Sequence, residues 1–375
     1  MSPGFLLRTL TVCLAIMTGP AALASEHGAP AKPAAPEKPA VPDKPAAAEK
    51  QVMPGKPAKP DKDSLDKVSF GTNWVAEAEH GGFFQAVADG TYKNFGLDVA
   101  IVPGGPNVNN RALLIAGKLD FFMSANTLQS FDAVANNVPV VAVAAIFQKD
   151  PQVLLAHPES KVAKLTDLKP LTLFVSKEGV ASYFQWLKSE YGFSEAKVKP
   201  YTFNAQPFLV DQQSAMQGYV TSEPFVIEKQ AKFKPTVVLL ADYGFDGYST
   251  LIETRRDLTD KKPDLVQRFV DASMIGWYNY LYGDNAAGNA MIKMLNPEMS
   301  DDMLAYSVAK MKEFGIVDSG DALRDGIGAM SDARYASFFD KMSRAGAVRR
   351  DLDFRKAYTL RFANKGIGLN LRPRN

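Results

Sequence analysis

Cysteine is almost missing from this chain, with Cys13 the one example among 375 residues. A fold stapled by disulfides is therefore excluded, and so is a cysteine nucleophile. Histidine is scarce too, limited to His27, His80 and His157. No second histidine or carboxylate accompanies His80 at ligand spacing, so no metal site is expected. Nowhere do about 18 to 20 apolar residues run uninterrupted, which leaves no candidate for a membrane-spanning helix. A formal net charge of +2 with dispersed lysines offers no nucleic-acid surface. There is no Gly-x-Ser-x-Gly elbow, and no cofactor fingerprint stands out, so the chain reads as a non-enzyme without a cofactor.

What is present begins with an export signal. Residues 1–24 carry Arg8, an apolar run over 9–17 and the small-residue end Ala22-Leu23-Ala24. This is the pattern of a secretory signal peptide, and Cys13 lies inside it. Leu10-Thr11-Val12-Cys13 also loosely matches a lipid-anchor cleavage box, although Val12 is a poor residue before the cut. Export without disulfides predicts a periplasmic protein. Residues 25–66 are almost wholly Ala, Pro, Lys, Glu and Asp, with the near-repeat AKPAAPEKPAVPDKPAA. Such a composition cannot bury enough apolar surface to order itself, and it reads as an extended tether or solvated leader.

The folded part starts with VSFGTNWVAEAEHGGFFQAVADGTYKNFGLDVAIVPG. Apolar residues alternate up to Asn73 and Trp74, a polar bend holds Glu77, Glu79 and His80, and a helix begins at Phe83 and Phe84. A strand over 97–102 follows. That is a strand-helix-strand unit, and in such sheets ligands sit beyond the carboxyl ends of the strands. The spacing predicts further strands over 120–124, 138–147, 153–156, 171–175, 198–203, 237–241 and 250–254. Helices are expected over 111–117, 126–136, 180–191, near 207–213, 224–231, 263–281, 285–295, 301–314 and 331–345. The expected architecture is α/β with two lobes around a cleft, joined by strand-like crossings near 157–170 and 242–250. Lobe 1 comprises 67–168 with 248–375, and lobe 2 comprises 169–247. Closure of the lobes over a small molecule is a common use of that geometry.

The pieces NW at 73–74, HGGFF at 80–84, DGTYKNFGLDV at 89–99, LLIAGKLDFFMSA at 113–125, VAAIFQKDPQVLLA at 143–156 and LTDLK at 165–169 occur in order. Together they resemble the periplasmic substrate-binding proteins of the nitrate, taurine and pyrimidine-precursor group of ABC importers. Within that group the Trp, the His and the aromatic helix start are most similar to the branch that binds hydroxymethylpyrimidine-type precursors of thiamine. The resemblance implies a type II binding-protein fold and a monomer that delivers a small solute to an ABC permease with its ATPase subunits. Fungal synthases of the same group use a cysteine-rich motif, and the mature chain has no cysteine to match it.

A flat heterocycle needs aromatic faces and a few fixed polar groups at its edge. Trp74, Phe84 and Tyr219 are candidates for the faces. Glu223 is a candidate acceptor, or equally a favourable charge at the start of its own helix. His80 either donates to the ligand or caps the helix behind it. Ser124, Ala125 and Asn126, where a strand meets a helix, and Lys177, Gly179 and Ser182 in the other lobe, can offer polar groups; turn formation explains each of them as well. A nitrate or sulfonate site would call for arginine. The candidate loops hold none, since Arg111 lies inside a helix. Nitrate, taurine or a sulfonate remains the alternative solute, and a sensing module the alternative role.

Overall fold

The computed structural model describes residues 65–105 and 108–373. The signal peptide and nearly all of the tether lie outside the described residues. The strands, in chain order, are β1 (Asp66–Gly71), β2 (Leu97–Val102), β3 (Phe121–Asn126), β4 (Val140–Phe147), β5 (Gln152–Ala156), β6 (Thr172–Val175), β7 (Val198–Pro200), β8 (Ser214–Tyr219), β9 (Thr236–Leu239) and β10 (Ser249–Arg255). They form two five-stranded sheets, ordered β2-β1-β3-β10-β4 and β7-β6-β8-β5-β9.

Each sheet is parallel except for one strand. β10 runs antiparallel between β3 and β4, and β5 runs antiparallel between β8 and β9. Both odd strands are the ones that have just crossed from the other sheet. Two exchanges therefore tie the lobes, and the carboxyl ends of the parallel strands of each sheet face the gap between them. β4, VVAVAAIF, is buried at every position, as strands covered on both sheet faces must be.

The first crossing corrects the expected one. It occupies 148–151 between β4 and β5, so β5 belongs to the second lobe and 157–170 lies wholly inside that lobe. The second crossing, 240–248, falls close to expectation. A helix was expected unbroken over 180–191; instead Lys177–Ala181 and Tyr183–Tyr191 are separated at Ser182. β8 was not foreseen. Its polar Ser214 and Gln217 break the apolar pattern, yet both are buried. Gln217 can be, because its side-chain oxygen accepts from Ser176 N at 2.6 Å and from the Tyr183 hydroxyl at 3.1 Å.

The C-terminal helices pack on the first lobe. Gly81 and Gly82 open the helix Gly81–Ala88 because it lies directly on the helix Pro263–Tyr282. A Cβ at Gly81 would stand 2.0 Å from the Tyr280 ring, and one at Gly82 2.2 Å from Trp277. Trp277, Phe83 and Phe147 meet edge to face in the core beneath. The glycine pair is thus a packing device that sets the position of the loop before it.

Candidate functional site

That loop, between β1 and the helix Gly81–Ala88, is held tightly at its base. Thr72 donates its hydroxyl to the Trp74 carbonyl at 2.7 Å, Gly104 N donates to the same carbonyl at 2.9 Å, and Asn110 Nδ2 donates to the Thr72 carbonyl at 2.8 Å. Asn296, from the C-terminal helices, donates to the Ala76 carbonyl at 2.9 Å. The loop therefore presents Trp74, Glu77, Glu79 and His80 from a fixed frame.

Opposite stand the loops of the second lobe that follow β7 and β8. The Trp74 and Phe203 ring centroids are 5.7 Å apart with planes tilted by 35°, and Tyr201 lies 5.5 Å from Phe203. Thr221 donates its hydroxyl to the Glu79 carboxylate across the gap. Glu223 starts the helix Glu223–Ala231, and its Oε2 accepts from Tyr219 N at 2.7 Å and from the Ser222 hydroxyl at 2.6 Å. Gly218 makes this possible, since a Cβ there would stand 2.8 Å from that of Glu223.

Three glutamates thus gather in one place. Burial raises the Glu77 carboxyl well above its ordinary range, and the charges of Glu79 and Glu223 push it further. Burial also raises Glu79 against the pull of the Thr221 hydrogen bond, and raises Glu223 against the Ser222 and Tyr219 bonds. Asp150, on the first crossing, adds a fourth carboxylate. Its Oδ1 accepts from Gln152 N at 3.0 Å, and burial pushes it up to about 6. Tyr219 is surrounded by this set: burial and then Asp150, Glu77, Glu223 and Glu79 all raise its phenol. Among the described residues no lysine or arginine pairs with any of these four carboxylates.

His80 is 1 % exposed, and neither ring nitrogen has a hydrogen-bond partner. Its Nε2 lies 3.8 Å from Glu77 Oε1, beyond hydrogen-bond reach. Burial lowers the imidazole to about 3, so it is neutral at neutral pH. Asn73 Oδ1 and Ser124 Oγ are likewise buried and unpartnered, at the ends of β1 and β3.

The remaining candidates divide. Phe84 is fully buried among core residues of the first lobe, so it supplies packing rather than a cleft face. Ala125 is occupied locally: its N donates to Gln129 Oε1 at 2.9 Å and its carbonyl accepts from Ser249 at 2.6 Å. Asn126 caps the helix Thr127–Ala135 by accepting from Leu128 N at 3.1 Å. In the second lobe Lys177 is exposed, and Ser182 donates back to the Glu178 carbonyl at 2.7 Å. Gly179 sits against Gln217 and Tyr183, where a Cβ would meet both at 2.8 Å. Arg111 is drawn away from the cleft, with its Nη2 2.9 Å from both oxygens of the buried Glu253.

Asp150, Tyr201 and Phe203 were not singled out from the sequence. The signal for Asp150 was a carboxylate before proline inside the QKDP stretch. Phe203 was hidden because an aromatic residue at the end of a short strand reads as core.

Comparison with known proteins places these features. The family model described as NMT1/THI5 like matches residues 77–284. The riboflavin-binding protein RibY of Chloroflexus aurantiacus is 22 % identical over 309 residues, covering 81 % of this chain and 88 % of that protein. The periplasmic aliphatic sulphonate-binding protein SsuA of Escherichia coli superposes with a TM-score of 0.60 at 13 % identity, covering 78 % of this chain and 92 % of that one. A putative sulfonate-binding SsuA of Methylobacillus flagellatus superposes at 0.58 and 15 % identity, covering 82 % and 96 %. At such identities the structures establish the fold: two α/β lobes of the type II periplasmic binding class, as the sequence resemblance implied.

Proposed function

The chain belongs to the NMT1/THI5-like family, and from that premise we propose that it is the periplasmic solute-binding component of an ABC importer whose cargo is a nitrogen heterocycle of pyrimidine or flavin type. The ligand stacks on Trp74, turns its N–H-bearing edge to Glu77, Glu79 and Glu223, and is enclosed as the lobes close. The closed receptor then delivers it to a membrane permease.

One observation carries this reading: four carboxylates, Glu79 and Asp150 buried and Glu77 and Glu223 half-buried, surround Tyr219 with no lysine or arginine partner among the described residues. A nitrate or sulfonate would enter against whichever of these groups is ionised. At 4 Å a single like-charge pair costs about 4 kcal/mol at an effective dielectric of 20. A heterocycle with amino or ring N–H groups meets the same carboxylates as acceptors, in charge-assisted bonds. Where burial keeps a carboxyl protonated, it can donate to a ring nitrogen or carbonyl instead. The unpartnered Asn73, His80 and Ser124 supply neutral groups to the same edge. The riboflavin-binding relative, whose ligand carries a flat ring system with a pyrimidine-like edge, supports the same ligand class. A binding role rather than catalysis is supported by that relative and by the sulfonate-binding structures.

The test is a thermal-shift screen against aminopyrimidines, riboflavin, nitrate, taurine and aliphatic sulfonates. A ligand at a hundred times its Kd adds about 2.7 kcal/mol to the native state. A heterocycle should raise the Tm in the parent and fail to do so in Trp74→Ala and Glu223→Gln. A shift given by anions alone, retained in both variants, would sink the proposal.

A further inference from the structure

Phe203 is out of place by every ordinary measure. It is 63 % exposed, although it is a large apolar side chain. Its backbone has φ +61°, in the left-handed region, where a residue with a bulky side chain is a genuine outlier. Outliers of this kind persist where the surroundings impose them, and they cluster at ligand clamps. Phe203 follows β7, in a loop fixed on one side by Tyr201 N donating to the Val175 carbonyl at 3.0 Å and on the other by Gln206 N donating to Asn204 Oδ1 at 3.0 Å. Between those anchors the chain pushes this one ring out of its lobe, and the ring comes to rest on Trp74 of the other lobe.

We propose that Phe203 is the movable wall of the ligand slot: it covers the Trp74 face when the cleft is empty and shifts to sandwich a planar ring against Trp74 when the cleft is filled. The geometry shows why movement is required. Two aromatic rings holding a third between them stand about 7 Å apart, twice the thickness of one ring contact. Here the centroids are 5.7 Å apart and the planes are tilted by 35°, so no ring fits between them. The contact is self-stacking. Phe203 shields an apolar face that would otherwise meet water, and a ligand ring replaces it with a better-aligned partner on each side. The wall belongs to the second lobe and Trp74 to the first, so filling the slot adjusts the lobe spacing as well.

This inference rests on the heterocycle reading for what enters the slot, but the cover itself can be tested without any ligand. Of the three tryptophans, Trp186 and Trp277 are at most 1 % exposed, while Trp74 is half-buried. Acrylamide quenching of the full chain therefore reports Trp74, and Trp74→Phe, which should lose the quenchable signal, assigns it. Phe203→Ala should raise the quenching constant roughly twofold, because one of two ring faces is uncovered. An unchanged constant overturns the proposal. In the second arm riboflavin and an aminopyrimidine are added. Protection of Trp74 from acrylamide should appear in the parent and need about tenfold more ligand in Phe203→Ala, the worth of one good stacking contact. Equal protection in both proteins overturns the wall. If Phe203→Ala uncovers Trp74 yet neither compound protects it in either protein, the heterocycle reading fails while the cover stands.

Discussion

Thr221 of the second lobe donates its hydroxyl to the carboxylate of Glu79 of the first. It bridges the cleft at the centre of the acidic group, and it lowers one glutamate that burial and Glu223 both raise. The neighbouring Glu77 has no such donor, and the charges of Glu79 and Glu223 add to burial in raising it. This difference makes Glu77 the residue through which pH should act on the ligand-free protein.

The sign follows from proton counting. The native state holds protons on Glu77 that the unfolded chain has released above its ordinary value of 4.5, so stability falls as pH rises through the window above that value. Asp150 behaves alike between 3.8 and about 6. His80 acts oppositely: native at about 3 and unfolded at 6.5, it adds stability as pH rises between those values and is silent above them. Above those two windows, of these groups only the raised glutamates contribute. Scanning calorimetry should find a Tm that declines across that range, and Glu77→Gln should lessen the decline while raising the Tm most at the upper end. An equal gain at every pH would mean that Glu77 is already ionised in the native state.

Arg111 offers the contrasting case of a charge used for structure. Its guanidinium lies 2.9 Å from both oxygens of Glu253, which is 0 % exposed and also accepts from Ser130 at 2.7 Å. Arg111→Met leaves a buried carboxylate unpaired and should destabilise by about 3 to 5 kcal/mol. Urea denaturation reads this directly, and ligand affinity should stay at the parental value in the folded fraction. The double variant Arg111→Met with Glu253→Leu should regain most of the loss. A variant that keeps its stability but loses binding would place Arg111 in the site.

Much of this architecture could be read from apolar patterning. β4 is apolar throughout, and the helix Pro263–Tyr282 repeats apolar residues at three and four spacing, so both fell close to their expected bounds. β10 was placed in the first sheet, where it is found. β8 escaped because its buried polar residues are satisfied only by partners distant in sequence, Ser176 and Tyr183. The first crossing was set too late for a related reason: β4 and β5 are both fully buried, and nothing local says that the lobe changes in the four residues between them. In the candidate site, residue type and position alone bring forward Trp74, His80, Tyr219 and Glu223 as candidates. Asp150 and Phe203 gain their meaning from lobe-to-lobe contact, which no local pattern encodes.

Gly179 illustrates how such a distant contact restricts a single residue. It lies in the helix Lys177–Ala181, where alanine is intrinsically favoured over glycine by about 1 kcal/mol. Yet an added Cβ would stand 2.8 Å from Gln217 Oε1, from the Tyr183 ring and from a Val175 methyl. Those three side chains are buried, and the Gln217 oxygen is held by Ser176 N and the Tyr183 hydroxyl. Gly179→Ala should therefore destabilise by about 1 to 3 kcal/mol through overpacking. A gain in chemical-denaturation midpoint would show instead that the Gln217 network can shift.

The lobes are also joined through a residue of the C-terminal helices. Arg334, near the start of the helix Asp332–Arg344, donates Nε to the Asp246 carbonyl at 2.8 Å on the second crossing and Nη2 to the Gln148 carbonyl on the first. Its guanidinium lies 4.2 Å from the centroid of the Tyr248 ring, also on the second crossing. One planar fork thus holds both crossings, which a lysine ammonium cannot reproduce. Lys149 and Asp242 pair across the crossings at 2.8 Å too, but both are substantially exposed. Removing that pair should change stability by less than about 1 kcal/mol. Arg334→Ala and Arg334→Lys should both let the lobes separate, enlarging the radius of gyration of the ligand-free protein in small-angle scattering and weakening ligand affinity, while Lys149→Ala does neither. If Arg334→Lys matched the parent in both measurements, the crossings would need only a positive charge there, and the fork geometry would have no part in setting the lobe equilibrium.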